Sequence, residues 1–425
     1  MQVIYNHQGT PLAFASDRIF GVTRTVPTAV TEEPKETFTV RRREFVQWGR
    51  ANRYPDDACR VVGSTGVLNT AIAFKSRLAF GQGVAADGPG AESANRWLQG
   101  YQGRKYLAEA FRDLFKLGNA FPILYFDQDG RCAALIERDA RHCRLSADKR
   151  WLCVYGDYAR SLPDDRSADL VRLLDEDDPF SHLQALALSG KLAGTHVAFP
   201  RIKNQHSNRD FYALPDWDTA WRSGWVDVAH KIPQFLAQSY ANAMTLMWHV
   251  QIPQTYWETK FPQKDYQSAR DREQAINDFM DQMEANLCGQ ENVSKTLFTD
   301  YAPGSGRSDE KWEIKRLENE IDAKERLSTS AAANSEILFS MMLNPSVLGA
   351  GMPGGSAYAG NSGSGSDIRE SYLVSLVSVW IEKQQVLDPI RLMLRHNGTD
   401  CNLSWRDTIL TTLNTGQAQQ TVQTP

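Results

Sequence analysis

The chain has 425 residues, 42% apolar and 23% charged, with a formal net charge of -4. That length exceeds one small core and points to two or three packed units, while the apolar content excludes wholesale disorder. Near-neutrality excludes tight nucleic-acid binding through a strongly basic face, so any contact with DNA is expected to be loose.

Six cysteines, Cys59, Cys132, Cys143, Cys153, Cys288 and Cys401, are scattered without a C-x-x-C pair. They read as reduced thiols in a cytosolic setting and not as a metal or redox site. The opening MQVIYNHQGTPLAF has neither a basic nor an apolar signal region, and no run of about 18 apolar residues follows. Secretion by that route and a membrane span are both unexpected.

Residues 1–40 are polar, carry Pro11, Pro27 and Pro34, and read as an arm that orders only against a neighbour. Helical patterns follow in RRREFVQWGRANR, in VLNTAIAFKSRLAFG, which Gly81 ends, and from about Lys105 to Leu117, which stops at Gly118-Asn119. AFPILYF and CAALIE, joined by Asp127-Gln128-Asp129-Gly130, predict a β-hairpin. HCRLS, WLCVYG and THVAF continue as short strands, making an α+β unit to about residue 214.

From Asp216 to His249 the period is helical, with Trp217, Trp221 and Trp225 four apart on a packed seam and Pro233 expected to kink the run. VQIPQTYWE reads as a strand bent at Pro253, and Ser268 to Leu287 as an amphipathic helix striped by Ile276, Phe279, Met280, Met283 and Leu287. NVSKTLFTDYA and KWEIKRL, separated by the turn PGSGRSDE, predict paired strands that complete a small inserted subdomain.

A second long helix is predicted from Arg316 to Met342, supported by the pairs Glu320–Lys324 and Asp322–Arg326. Its apolar face is thin (Leu317, Ile321, Leu327, Ala331, Ala332), and Asn344-Pro345 ends it. Leu343 to Ser366 are 24 residues without one charged side chain. So neutral and glycine-rich a stretch reads as a mobile loop held at a rim by rigid rods. Asp367, with Glu370 three residues on, is then the predicted start of a helix that runs to His396, lines one side with Tyr372, Leu376, Val379 and Val386, and bends at Pro389. The tail from Gly416 is polar and expected to be mobile.

No catalytic constellation can be assembled. Gly349, Gly351 and Gly354 spell G-x-G-x-x-G, but a predicted helix rather than a strand feeds them, so no dinucleotide site is expected. Ser189-Gly190-Lys191-Leu192 lacks the earlier glycine and the hydroxyl of a P-loop, and neither H-E-x-x-H nor G-x-S-x-G occurs. The run Asp175-Glu176-Asp177-Asp178 lacks the spaced ligands of a calcium loop and reads as a solvated face. The expectation is a protein that is not an enzyme and binds no cofactor or metal.

Three stretches together resemble the portal proteins of tailed bacteriophages and prophages, the head-to-tail connectors. FRDLFKLGNAFPILYFDQDGRCAALIERDARHCRLS is similar to the portal wing, and FYALPDWDTAWRSGWVDVAHKIPQFLAQSYANA to the approach into the first stem helix. ANSEILFSMMLNPSVLGAGMPGGSAYAGNSGSGSDIRESYL is similar to the junction of second stem helix and tunnel loop, with its Pro-x-x-x-Gly at Pro345 to Gly349.

The resemblance implies an α+β portal-type fold assembling as a ring. It divides the chain into an N-terminal arm (1–40), a wing (41–213), a first stem helix (214–249), a clip (250–315), a second stem helix (316–343), a tunnel loop (344–366), a long wing helix (367–396), and a reduced crown with a flexible tail (397–425). It further implies a ring, dodecameric in most of the family, at the capsid vertex of the virion, assembled in the host cytoplasm.

Through that ring double-stranded DNA would pass without sequence specificity during packaging and ejection. The implied partners are the terminase large subunit, a head-tail adaptor, and the major capsid protein or scaffold, with no membrane. Leu348, Gly349, Met352, Gly354, Tyr358, Asn361 and Gly363 would face DNA in the tunnel loop, and Trp217, Trp221, Trp225, Leu317, Ile321 and Leu327 would pack the stem. The competing reading is a virion adaptor that binds proteins and never encircles DNA.

Overall fold

The structure, a computed structural model, describes residues 3–5, 11–15, 18–21, 36–207, 211–243, 248–252, 254–288, 313–316, 323–348, 365–410 and 419–424. The chain divides into two units, one built from Met1–His230 with Leu327–Pro425 and the other from Lys231–Arg326.

The larger unit begins with a three-stranded antiparallel meander, β1 (Val3–Tyr5), β2 (Pro11–Ala15) and β3 (Arg18–Gly21), where the sequence suggested an arm without period. A hairpin follows, β4 (Thr37–Val40) and β5 (Arg43–Val46), in place of the helix expected across residues 41–53. Arg41 and Arg42 both take positive φ, 47° and 62°, in the two-residue turn, and the Phe38–Phe45 pair stacks across the strands at 5.7 Å. Two of the three arginines are engaged by the same unit: the Arg41 side chain donates to the Asp165 carbonyl and Arg43 lies 4.1 Å over the Trp151 ring.

Helices α1 (Tyr54–Ser64), α2 (Gly66–Phe80), α3 (Ala91–Gln99) and α4 (Tyr101–Leu117) flank the short strand β6 (Val84–Asp87). Leu68, Ala71, Ile72, Leu78 and Ala79 give α2 its buried stripe, and Leu107, Ala110, Phe111 and Leu114 give α4 its own. The predicted hairpin is present as β7 (Asn119–Phe126) and β8 (Cys132–Arg138). With β9 (Cys143–Leu145), β10 (Trp151–Val154), β11 (Asp169–Leu173), β12 (His196–Ala198) and β13 (Ile202–Lys203) it forms a seven-stranded sheet.

Strand β7 is the centre of that sheet: β8 lies on one side, β12 and β13 share the other, and β11 and β12 are the parallel pair. Its burial on both faces matches its continuous apolar run. Between β11 and β12 lies α5 (Pro179–Leu188), whose N-cap Asp178 accepts from the Ser181 amide at 3.0 Å.

The long helix expected from Asp216 is broken. A one-and-a-half-turn α6 (Asp218–Arg222) ends before Gly224, whose φ of 89° interrupts the run, and α7 (Trp225–Ala243) carries Pro233 inside it. The three tryptophans therefore do not share one helix face.

In the smaller unit, β14 (Trp248–Gln251) pairs with β15 (Glu313–Arg316), and α8 (Gln254–Lys260) and α9 (Ala269–Cys288) lie between them in sequence. Two expectations are corrected here: Gln254–Lys260 is helical and does not continue a bent strand, and Arg316 closes a strand and does not open a helix. The stretch NVSKTLFTDYA and the turn after it lie outside the described residues. Tyr256, Trp257, Phe261 and Phe279 form an aromatic cluster with centroid separations of 5.6–6.4 Å, and Lys260 lies 4.0 Å over Phe279. Among the described side chains of this unit none is buried.

The chain returns through α10 (Ala323–Ser340) and a single-turn α11 (Pro345–Leu348), which Pro345 begins. Then α12 (Gly365–Ser378) and α13 (Trp380–His396) replace the one helix predicted from Asp367. The interruption falls at Val379, ten residues before Pro389, which α13 accommodates inside its length. Strand β16 (Asn402–Leu410) pairs with both β6 and β17 (Gln419–Thr424), so the tail expected to be mobile contains a strand. The architecture is α+β.

Candidate functional site

The natural place to look is on the larger unit, where the segment just before α6 and the segment just after α10 are reached by one buried side chain. Gly118 ends α4 with φ 73°, and a Cβ there would sit 2.7 Å from the Leu214 carbonyl carbon, so only glycine lets the two backbones approach. Asn119, fully buried, donates to the carbonyls of Leu117 (3.0 Å) and Ala213 (2.8 Å) and accepts from the Ala213 amide (3.0 Å). Asn204 repeats the device: its side-chain amide donates to the Leu214 carbonyl (2.9 Å) and to Asp216 (2.8 Å). Trp217 closes the clamp, its indole N–H donating to the Lys116 carbonyl at 3.1 Å. The carbonyls of Leu117, Ala213, Leu214 and Lys116 and the Ala213 amide thereby gain side-chain partners.

One cation ties both long segments together. Lys75, on the buried stripe of α2 and fully buried, donates to Asp216 at 2.7 Å and to the Met341 carbonyl at 3.4 Å. Asp216 lies just before α6, and Met341 just after α10. Glu382 of α13 shares a small cavity with them, and burial raises its pKa, with the Lys75 charge opposing. Its Oε2 is shielded from water without a hydrogen-bond partner. On the neighbouring position of α13, Lys383 is buried against Asp407 of β16 at 2.5 Å, and burial lowers its pKa.

These charged groups were readable in principle. Lys75 falls on the same register as Leu68, Ile72 and Leu78, and Glu382–Lys383 on that of Val379, Val386 and Ile390, so a charge on an apolar stripe was the signal.

Of the residues expected to face DNA, only Leu348 is described; it closes α11 and packs partly buried against the core. Gly349, Met352, Gly354, Tyr358, Asn361 and Gly363 lie outside the described residues. Among the stem candidates Trp217 is buried in its own chain, with Trp221 5.7 Å away by ring centroids and Trp225 half-buried against the same core. Leu317 and Ile321, and the side chain of Leu327, lie outside the described residues.

The segments flanking the glycine-rich stretch are exposed and apolar. Phe339 at the end of α10 is 80% exposed, Val374 and Val377 on α12 are 68% and 75%, and Trp380 opening α13 is 51%. The opposite side of α12 and α13 carries Tyr372, Leu376, Val379 and Val386 into the core, as the sequence predicted. A hydrogen bond from Asn344 to Ser371 (3.0 Å) links the two flanks.

Among the described residues no group of three His, Cys, Asp or Glu side chains converges, and no helix is long and apolar enough to cross a membrane.

No protein-family model and no curated protein sequence matches the chain. Solved structures do match in fold. A chain of the virion of native gene transfer agent (GTA) particle has a TM-score of 0.57 at 14% identity, covering 84% of both chains. A chain in the neck of the empty GTA particle, computed with C6 symmetry, has a TM-score of 0.56 at 13% identity and the same coverage. A chain in the neck of the native particle, computed with C12 symmetry, has a TM-score of 0.55 at 13% identity over 82% of this chain and 83% of that one.

Proposed function

We propose that this chain is the subunit of a portal-type ring, a non-enzymatic virion component at the capsid vertex through which double-stranded DNA is packaged and ejected. The observation that carries the reading is the fold likeness over 84% of the chain to a component of a gene transfer agent particle whose neck was computed with rotational symmetry.

Two features support it independently. None of the described side chains of the excursion Lys231–Arg326 is buried, and Phe339, Val374, Val377 and Trp380 expose apolar surface around the glycine-rich segment. Surface of that kind in a single copy is what neighbouring copies cover in a closed ring.

On this reading α7 and α10 belong to the two stem helices, residues 250–315 to the clip and residues 344–366 to the tunnel loop. An uncharged Gly/Ser/Ala loop touches a polyanion by shape while displacing few counterions, so it lets DNA slide. The terminase large subunit, a head-tail adaptor and capsid or scaffold protein are the partners a ring of this type docks.

Negative-stain class averages of the purified chain, alone and at high concentration or with scaffold, test the proposal. Closed rings with rotational symmetry are expected; a compact monomer or dimer under every condition would overturn it. Replacing Gly354 to Gly363 with a short rigid linker separates channel from adaptor: packaging or DNA retention fails in a channel and is untouched in an adaptor that never encircles DNA.

A further inference from the structure

The cavity that Glu382 shares with Lys75 is small, about 10 Å³, which is about the room that one water molecule takes. Polar groups of Lys75, Asn204, Asp216 and Glu382 line it, and Leu114 and Phe115 close it with apolar wall. The first three are partnered among themselves: Asp216 receives Lys75 at 2.7 Å and Asn204 at 2.8 Å. Glu382 is the exception. It is only 7% exposed, yet its Oε2 is shielded from water without a hydrogen-bond partner.

The charges around Glu382 decide which form the site holds. Facing it are Lys75 of α2, Asp216 of the segment before α6 and the exposed His206 of the segment after β13. On α13 itself, Lys383 is engaged by Asp407. Lys75 stands beside two carboxylates and is already held by Asp216, so an ionised Glu382 would leave a negative charge over, out of water. The carboxyl therefore keeps its proton. Burial acts in the same direction and raises its pKa, opposed by its own backbone amide and by the Lys75 charge.

We propose that the cavity binds one water molecule, which accepts the O–H of a protonated Glu382 and donates to the Asp216 carboxylate, so that α13 is tied to this junction through a proton that alkaline conditions remove. Four polar groups around one water lie within the number an enclosed water uses. Asp216 precedes Lys231–Arg326 in sequence and Met341, whose carbonyl also receives Lys75, follows it, so one cluster reaches the chain on both sides of that excursion. Loss of the proton turns a water-bridged contact into repulsion between two carboxylates, and the tie loosens. The folded state holds this proton more tightly than the unfolded chain. Its contribution is complete below the ordinary value of 4.5 and is lost as pH rises through the raised one. The inference rests on this junction alone and stands whether or not the chain forms a ring.

Two measurements on the full-length chain test it. In a high-resolution crystal structure at acid pH, density for one water should lie within hydrogen-bond distance of both Glu382 and Asp216. A cavity without that density, or a Glu382 side chain turned to solvent, would refute the proposal. In hydrogen exchange, the bonded amides of Asp218, Met341 and Leu343 report on the junction. Corrected for base catalysis, their exchange in wild type should quicken by up to about tenfold per pH unit above the Glu382 titration. It should stay level in Glu382→Gln, whose amide donates to the same water without titrating. Glu382→Met, which removes both charge and donor, should also give a level profile and serves if the first variant does not fold. Asp113 is present in every chain compared, so its own titration cancels. Equal pH profiles for wild type and variant, or a quickening confined to amides elsewhere, would show that Glu382 ties nothing.

Discussion

Lys75 shows how much one buried side chain can hold. Its ammonium is out of water entirely and faces Asp216 and the Met341 carbonyl, so it joins three segments far apart in sequence. Removing one partner of a buried pair leaves the other uncompensated, which costs more than the pair contributes. Lys75→Met is therefore expected to lower stability by about 3–5 kcal/mol in urea unfolding, and the double variant Lys75→Met with Asp216→Asn to recover much of it.

A second residue, Asp113, sets a pH dependence. Burial lifts its pKa from the ordinary 3.8 to about 6, with the adjacent Arg112 opposing. The folded state holds this proton more tightly than the unfolded chain, so the contribution is complete below about pH 4 and is lost as pH rises to about 6. The stability of wild type relative to Asp113→Asn should fall as pH rises across that window. A difference independent of pH would contradict the assignment.

At the scale of elements, the fold depends on where helices stop. Gly118 ends α4 in a left-handed conformation and lies against the Leu214–Pro215 backbone, so one glycine both turns the chain into the central strand β7 and admits the segment leading to α6. Gly118→Ala adds a clash at 2.7 Å to an unfavourable φ. A loss of at least about 2 kcal/mol is expected in thermal or urea unfolding. Just after the break at Val379, Lys383 on the buried side of α13 meets Asp407 of β16 and ties the C-terminal strand to the body.

Over the whole molecule, interior and exterior are unevenly finished. The larger unit has a continuous core from Val46 to Trp405, whereas the described side chains of Lys231–Arg326 bury nothing fully. Val374 and Val377 are exposed in the single chain, so changing both to Asp should leave the unfolding midpoint of an isolated subunit within about 0.5 kcal/mol of wild type. The same pair should shift light-scattering mass from ring to monomer if this face is covered by a neighbouring copy. An unchanged ring would place the contact elsewhere.

The local features were legible because short-range chemistry determines them. The hairpin β7–β8, the stop of α4 at Gly118, the extent of α9 and the core-facing side of α12 and α13 all follow from periodicity, a turn or a glycine, whatever surrounds them. The arginine-rich stretch at 41–53 read as helix because charge and spacing allowed it, but Phe38 and Phe45 bury against Tyr158 only when the chain folds back as a hairpin. The tail looked mobile because its sequence is polar, yet a strand needs only backbone partners, which β16 supplies. What tertiary structure alone decided was which distant groups meet: Lys75 with Asp216 and Met341, Asn119 with Ala213, and Arg395 with Phe180. A buried charge is tolerable only beside its partner, and a one-dimensional pattern can show that a charge sits on an apolar stripe without showing what lies across from it.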